Sequence, residues 1–118
     1  MEFNNDFKHD LKVGQSAENK LAKILEDSTI EVKYDLKAWQ TGNVFIEFES
    51  RGKPSGLARS EASHYAFALE KGPIIIIETF KLKNICRKYL GTSREIRGGD
   101  SNTSVGILLP VIKLLTYG

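Results

Sequence analysis

The chain of 118 residues fits a single domain, 1–118, and its 41% apolar residues are enough to bury a core without disulfides. Its one cysteine, Cys86, excludes an internal disulfide framework and a cysteine-based zinc cluster. No apolar run approaches the ~20 residues of a membrane span. The charged Met1–Lys12 stretch is not a signal peptide, so a soluble, cytoplasmic protein with no membrane partner is expected.

The net charge of +2 is unevenly spread. Between Thr79 and Arg97, Lys81, Lys83, Arg87, Lys88, Arg94 and Arg97 face only Glu95, and Arg51, Lys53 and Arg59 form a second basic group. The first 36 residues lean acidic. Such asymmetry suits a protein that grips a phosphate backbone on one surface, and it suits a solvated helix face equally well.

In chain order, residues 1–14 read as a polar arm or short first element ending at Gly14. Gln15–Asp27 reads as a helix from the spacing of Ala17, Leu21, Ile24 and Leu25, with Ser16 as N-cap. Two runs then alternate with period two, as half-buried strands do. In the first, Ile30, Val32, Tyr34 and Leu36 point one way and Glu31, Lys33 and Asp35 the other. In the second, Val44, Ile46 and Phe48 alternate with Phe45, Glu47 and Glu49. The turn signal Thr41-Gly-Asn43 makes an antiparallel hairpin the simplest connection. Arg51–Gly56 reads as a loop and Ala58–Leu69 as a helix. The Ile-rich Pro73–Glu78 reads as a strand buried on both faces and paired in parallel through that helix. Lys81–Leu90 reads as a helix stopped by Gly91, Gly98–Gly106 as a polar loop, and Ile107–Leu115 as a broken or edge strand interrupted by Pro110. The expected class is α/β, a mixed β-sheet flanked by helices.

The polar face of the expected hairpin carries the chemistry. If the two faces coincide, cross-strand neighbours lie about 5 Å apart, which would cluster Asp35, Glu47 and Glu49 around Lys33. Packed carboxylates repel, and a hard divalent cation such as Mg²⁺ relieves that conflict. Its bound water can act as nucleophile, while a nearby lysine stabilises developing phosphate charge. The basic, glycine-containing loop that follows suits contact with phosphates. A plain charged surface would show much of the same pattern.

The segments Glu31-Val-Lys-Tyr-Asp35 and Thr41-Gly-Asn-Val-Phe-Ile-Glu-Phe-Glu-Ser-Arg-Gly-Lys-Pro-Ser-Gly56, with Phe7–Glu18 upstream, resemble small phage-type nucleases of the PD-(D/E)XK superfamily. The resemblance covers roughly residues 7–69. It implies a restriction-endonuclease-like αβββαβ core and a Mg²⁺-dependent DNA endonuclease, with Mn²⁺ as an alternative ion. It places the protein in the host cell cytoplasm if phage-encoded, with DNA as partner and, by analogy, a homodimer. Carried over, Glu18 matches the helix acid, Asp35 the strand aspartate and Glu47 the first residue of the Glu-x-Lys pair. These three would be the metal ligands. Glu49 stands where the superfamily has its lysine, and Lys33 would supply the ammonium from the neighbouring strand. On that reading Glu49→Lys should partly rescue a Lys33→Ala protein. A rival alignment takes Glu31-Val32-Lys33 as the pair. No segment reads clearly as the superfamily's first hairpin strand. Arg51, Lys53, Ser55 and Arg59 are the candidate nucleic-acid contacts.

Outside these motifs, His64 reads as structural or exposed, and Tyr65 and Ser60 as packing or phosphate contacts. Trp39 would either stack on a base or pack on the sheet edge. A catalytically inactive nuclease-fold module that binds nucleic acid or protein is the competing function, and the Glu-x-Glu variant is its main support.

Overall fold

The computed structural model describes residues 2–116, with side-chain surroundings for residues 8–99 and 101–116. Helix α1 (Glu2–Asp27) is followed by strand β1 (Ile30–Asp35), the short helix α2 (Ala38–Thr41), strand β2 (Asn43–Ser50) and the two-residue strand β3 (Lys53–Pro54). A 3₁₀ turn at Gly56–Ala58 leads to strands β4 (His64–Leu69) and β5 (Ile74–Glu78) and helix α3 (Thr79–Arg87). Strands β6 (Glu95–Gly98) and β7 (Ser104–Pro110) and helix α4 (Val111–Leu115) complete the chain. The class is mixed α/β, as expected, but the strands form two sheets. The first has the order β1-β4-β5, and the second, wholly antiparallel, has the order β3-β2-β7-β6.

Several elements differ from their sequence reading. The expected β1–β2 hairpin does not form: β1 pairs with β4 in parallel, and β2 pairs with β7. Residues 58–69 hold no long helix. The Ala58, Ala62, Ala66 spacing mimics one, but Tyr65-Ala-Phe-Ala-Leu69 alternates large and small with period two, and pairing on both sides takes it as the central strand β4. The helix that an αβββαβ core places at this point is therefore missing. β5 pairs with β4 in antiparallel fashion, not through a crossover. As an edge strand it buries Ile77 and leaves Ile74 and Ile76 outward, so it is not buried on both faces. Of the Gly98–Gly106 segment only residues 99–103 form the turn of a β6–β7 hairpin, while Gly98 ends β6 and Ser104–Gly106 open β7. Ile107–Pro110 belongs to the centre of the second sheet, not its edge, and Pro110 ends the strand because it has no N–H for the ladder. Residues 2–14 continue α1 through Gly14.

The core lies where the buried faces of the two sheets meet α3. Phe67, Leu82, Ile107, Leu109 and Val44 are its largest fully buried side chains. α3 contributes Leu82, Ile85 and Cys86 by helical spacing. Phe45 lies over Gly98 and Gly106, where a Cβ would meet its ring at 3.1 Å and 2.7 Å. Trp39 packs on Gly72, where a Cβ would come within 2.3 Å of the indole. The contact is with the turn between β4 and β5, and Trp39 remains 56% exposed.

Two outcomes follow from the core. Leu82→Ala should lower the stability to chemical denaturation by roughly 2–5 kcal/mol, through lost burial and a residual cavity. Burial pushes the Cys86 thiol up to about 12, well above the pH of ordinary labelling. The neutral thiol is thus favoured in the folded protein, and its reactivity should be suppressed there. At pH 8 a disulfide reagent should label Cys86 slowly in the native protein and rapidly in denaturant. Equal rates in the two states would contradict this burial.

Candidate functional site

The site begins with the register of β1 on β4. Partner residues share a face, and Glu31, Lys33 and Asp35 stand opposite Tyr65, Phe67 and Leu69. The latter three are buried. The polar row of β1 is therefore on the core side of its sheet, and the apolar row Val32, Tyr34 is exposed. This reverses the usual sense of a half-buried strand.

β2 supplies the second wall. Lys33, Glu47, Gly56 and Tyr65, with Phe45 and Phe67, line a cleft of about 220 Å³ between the sheets. The Glu47 carboxylate is positioned: Ser55 Oγ donates to its Oε2 at 2.9 Å. Gly56 makes this possible. It has φ +49°, and a Cβ there would lie 2.3 Å from the Glu47 carbonyl oxygen, so only glycine lets the loop close on β2. Across the cleft, Lys33 Nζ pairs with Glu31 Oε1 at 3.1 Å, a half-exposed ion pair. The hydroxyl of Tyr65 is buried without a hydrogen-bond partner. A buried, unsatisfied phenol is costly. An adjoining open groove is bordered by Glu31, Gly56, Arg59, Ser60 and Glu61.

The other candidates are not gathered there. Asp35 closes β1, and its Oδ1 accepts the Lys37 backbone N–H at 2.8 Å; it does not line the cleft. Glu47 and Glu49 do not share a face. The register shifts between them, so Glu47 stands opposite Gly106 and Glu49 opposite Val105, on the other side of the sheet. Glu18 is exposed on α1, outside the cleft lining. Ser55 is engaged with Glu47 and is not presented as a free phosphate contact. Arg51 and Gly52, with φ 52° and 78°, form the tip of the tight β2–β3 turn, so Arg51 and Lys53 are exposed at a hairpin end.

The basic group between Lys81 and Arg97 is divided. Arg94 Nη1 donates to Asn43 Oδ1 at 2.8 Å and to the Leu108 carbonyl at 3.1 Å, so it braces the second sheet. Lys83 and Arg87 stand at a separate apolar cleft of about 330 Å³ with Phe48, Leu57 and Leu90. His64 opens β4, with its Nδ1 2.9 Å from Ser63 Oγ.

Among the described residues, no group of three or more His, Cys, Asp or Glu stands close enough to hold a metal ion. A Mg²⁺ ion needs only one or two carboxylates when waters and substrate oxygens complete its shell. Glu47, held by Ser55 beside the cleft, meets that lesser requirement. Sequence reasoning weighed Tyr65 but not as a partner of Lys33 and Glu47, because 58–69 read as a helix; the period-two alternation was the available signal. Among the described residues, no helix is long and apolar enough to cross a membrane. No family model matches the chain, and neither the curated proteins nor the solved structures contain a match.

The Ser55–Glu47–Gly56 arrangement has a measurable consequence. Ser55→Ala should cost about 1 kcal/mol in denaturant unfolding, the usual net worth of one hydrogen bond. Gly56→Ala should cost more, because it adds both a backbone clash and left-handed strain. A Gly56→Ala protein as stable as the wild type would show that the loop does not close on β2.

Proposed function

We propose that the protein is a divalent-metal-dependent DNA endonuclease of the PD-(D/E)XK type, with the Lys33–Glu47 cleft as its active site. The observation that carries this reading is the convergence itself. Two residues singled out from the sequence, on strands that do not pair with each other, line one cleft. A positioned carboxylate and an ammonium there suit a phosphodiester.

In this proposal Glu47, oriented by Ser55, would hold a Mg²⁺ or Mn²⁺ ion together with waters and substrate oxygens, while Asp35 and Glu18, the further ligands implied by the superfamily pattern, stand outside the cleft. The ion, when bound, lowers the pKa of its water and polarises the phosphate. Lys33 exchanges its Glu31 partner for a phosphate oxygen and stabilises charge as it develops. Arg51 and Lys53 at the hairpin tip and Arg59 beside the groove hold the flanking backbone. A nuclease-fold module that binds nucleic acid or protein without turnover is the second reading. The dispersal of Asp35, Glu49 and Glu18 favours it.

Cleavage separates the two. With Mg²⁺ or Mn²⁺, and not with EDTA, the protein should cut one of linear, supercoiled or four-way-junction DNA. Lys33→Ala should fold normally and lose cleavage by a factor on the order of 10² or more, in line with loss of one transition-state donor. Glu47→Gln should lose cleavage and weaken Mn²⁺ binding by calorimetry. Glu49→Lys should not rescue Lys33→Ala, because the bulge turns position 49 to the opposite face. Full activity in Lys33→Ala would exclude the cleft as the site, and metal-independent DNA binding without cleavage would favour the second reading.

DNA affinity should fall steeply as salt rises, because each neutralised phosphate releases counterions. Charge reversal at Lys53 and Arg59 should weaken binding and flatten that salt dependence. Unchanged affinity in the double variant would remove these residues from the interface.

A further inference from the structure

Helix α3 turns a mixed stripe toward β2. Lys83, Cys86, Arg87 and Leu90 recur at i, i+3, i+4 and i+7, so one side of the helix and of the turn after it carries all four. They form one wall of the apolar cleft of about 330 Å³, and Ile46, Phe48, Leu57 and Ile107 stand across from them. The floor belongs to the core: Ile46, Leu57, Cys86 and Ile107 are all buried. Phe48 joins the wall at the β2 bulge. The register shift between Glu47 and Glu49 leaves it without a partner on β7, and it packs against the edge of the core. Leu90, at the mouth, is 50% exposed.

Two cations border this cleft, and among the described residues no carboxylate does. Lys83 and Arg87 stand one helical turn apart on the same side of α3, where like charges repel. Among the described residues the half-buried Lys83 ammonium has neither a hydrogen-bond nor an ion-pair partner. Arg87 Nη1 donates to Asn84 Oδ1 at 2.8 Å, and no carboxylate among the described residues pairs with it. The helix dipole accounts for a cation in the last turn, which is Arg87. It does not account for Lys83, which lies mid-helix.

We infer that this cleft binds a small organic acid, its aromatic or aliphatic body seated on Ile46, Leu57 and Cys86 and its carboxylate held at the mouth by Lys83 and Arg87. The volume lies at the small end of the ~300–1,000 Å³ range of ligand pockets. The lining selects among anions. A nucleotide brings the same sign of charge, but the polar edge of its base would lie against side chains that offer it no good partner, at a desolvation cost. A peptide meets the same obstacle with its amides. β7 is paired on both sides, by β2 and β6, and the Phe48 carbonyl of β2 already accepts the Ser55 N–H at 3.0 Å, so a peptide main chain finds no open strand edge there. The cleft shares Ile46 and Leu57 with the Lys33–Glu47 cleft and no other lining residue. The assignment does not rest on the nuclease reading.

Calorimetry on the full-length protein, with phenylbutyrate and octanoate as probes, tests it. Each should bind with a dissociation constant on the order of 10⁻⁴ M, in keeping with a ligand of about a dozen heavy atoms. Phenylbutyramide keeps the body and loses the charge, and it should bind about tenfold more weakly. Phenylbutyrate should lose as much on a Lys83→Ala, Arg87→Ala double variant. Ala58→Trp, at an exposed position of the lining, should block the cleft and abolish binding. Lys33→Ala, in the other cleft, should bind both acids as the wild type does. Far-UV circular dichroism and Cys86 protection without ligand report that each variant is folded. Should Ala58→Trp fail to fold, the double variant, which removes only charge at the mouth, carries the test. Failure of both acids to bind would overturn the proposal, as would equal binding of acid and amide, undiminished binding in the double variant or loss of binding in Lys33→Ala. A peptide ending in phenylalanine that binds where both free acids fail would overturn it in favour of a protein chain end.

Discussion

The parallel pairing of β1 with β4 governs most of what is distinctive in this protein. It brings Ile30–Asp35 beside His64–Leu69 across a sequence separation of 34 residues. Because partners in register share a face, the burial of Tyr65, Phe67 and Leu69 carries Glu31, Lys33 and Asp35 to the core side. A one-residue slip would exchange the two rows of β1 completely. The polar cleft and the exposed apolar row of β1 are opposite sides of this single register.

The cleft tolerates polar groups on the core side because it opens at the meeting of two sheets. Lys33 and Glu31 neutralise one another while remaining about half exposed, so neither ion bears a full desolvation cost. Glu47 is treated differently. It is tied by Ser55, and the approach that permits this depends on the missing Cβ of Gly56. The run from Glu47 to Gly56 is therefore one mechanical unit: a strand with a bulge, a tight turn at Arg51-Gly52, and a return that fastens onto the carboxylate where it began.

The basic residues illustrate how charge density in a sequence fails to map onto a surface. The cations between residues 81 and 97 belong to α3, to a turn and to β6, and they serve unlike purposes. Arg94 braces Asn43 and the Leu108 carbonyl, Arg87 donates to Asn84, and Lys81 stands 3.9 Å from Glu78. Of the other basic group, Arg59 borders the groove beside the cleft, while Arg51 and Lys53 stand exposed at the β2–β3 turn.

Local chemistry was legible in the sequence. The alternation of Ile30–Asp35 and Val44–Glu49, the punctuation by Gly42, Gly52 and Gly91, the spacing of Leu82, Ile85 and Cys86, and the interest of Lys33 and Glu47 all rest on neighbours a few residues apart. Strand partners were not legible, because pairing is chosen by burial summed over the whole chain. Tyr65-Ala-Phe-Ala-Leu69 satisfies helical and strand spacing alike, and only its place between β1 and β5 decides for strand. The separation of Glu47 from Glu49 depends on a bulge against β7, some 60 residues on, which no local pattern announces. The sequence by itself thus marked Lys33 and Glu47 as candidates and located β1, β2 and β5, but not β4 or β6. Tertiary structure decided which of those residues meet and which face of β1 is turned to water, because both follow from pairings between segments far apart in the chain.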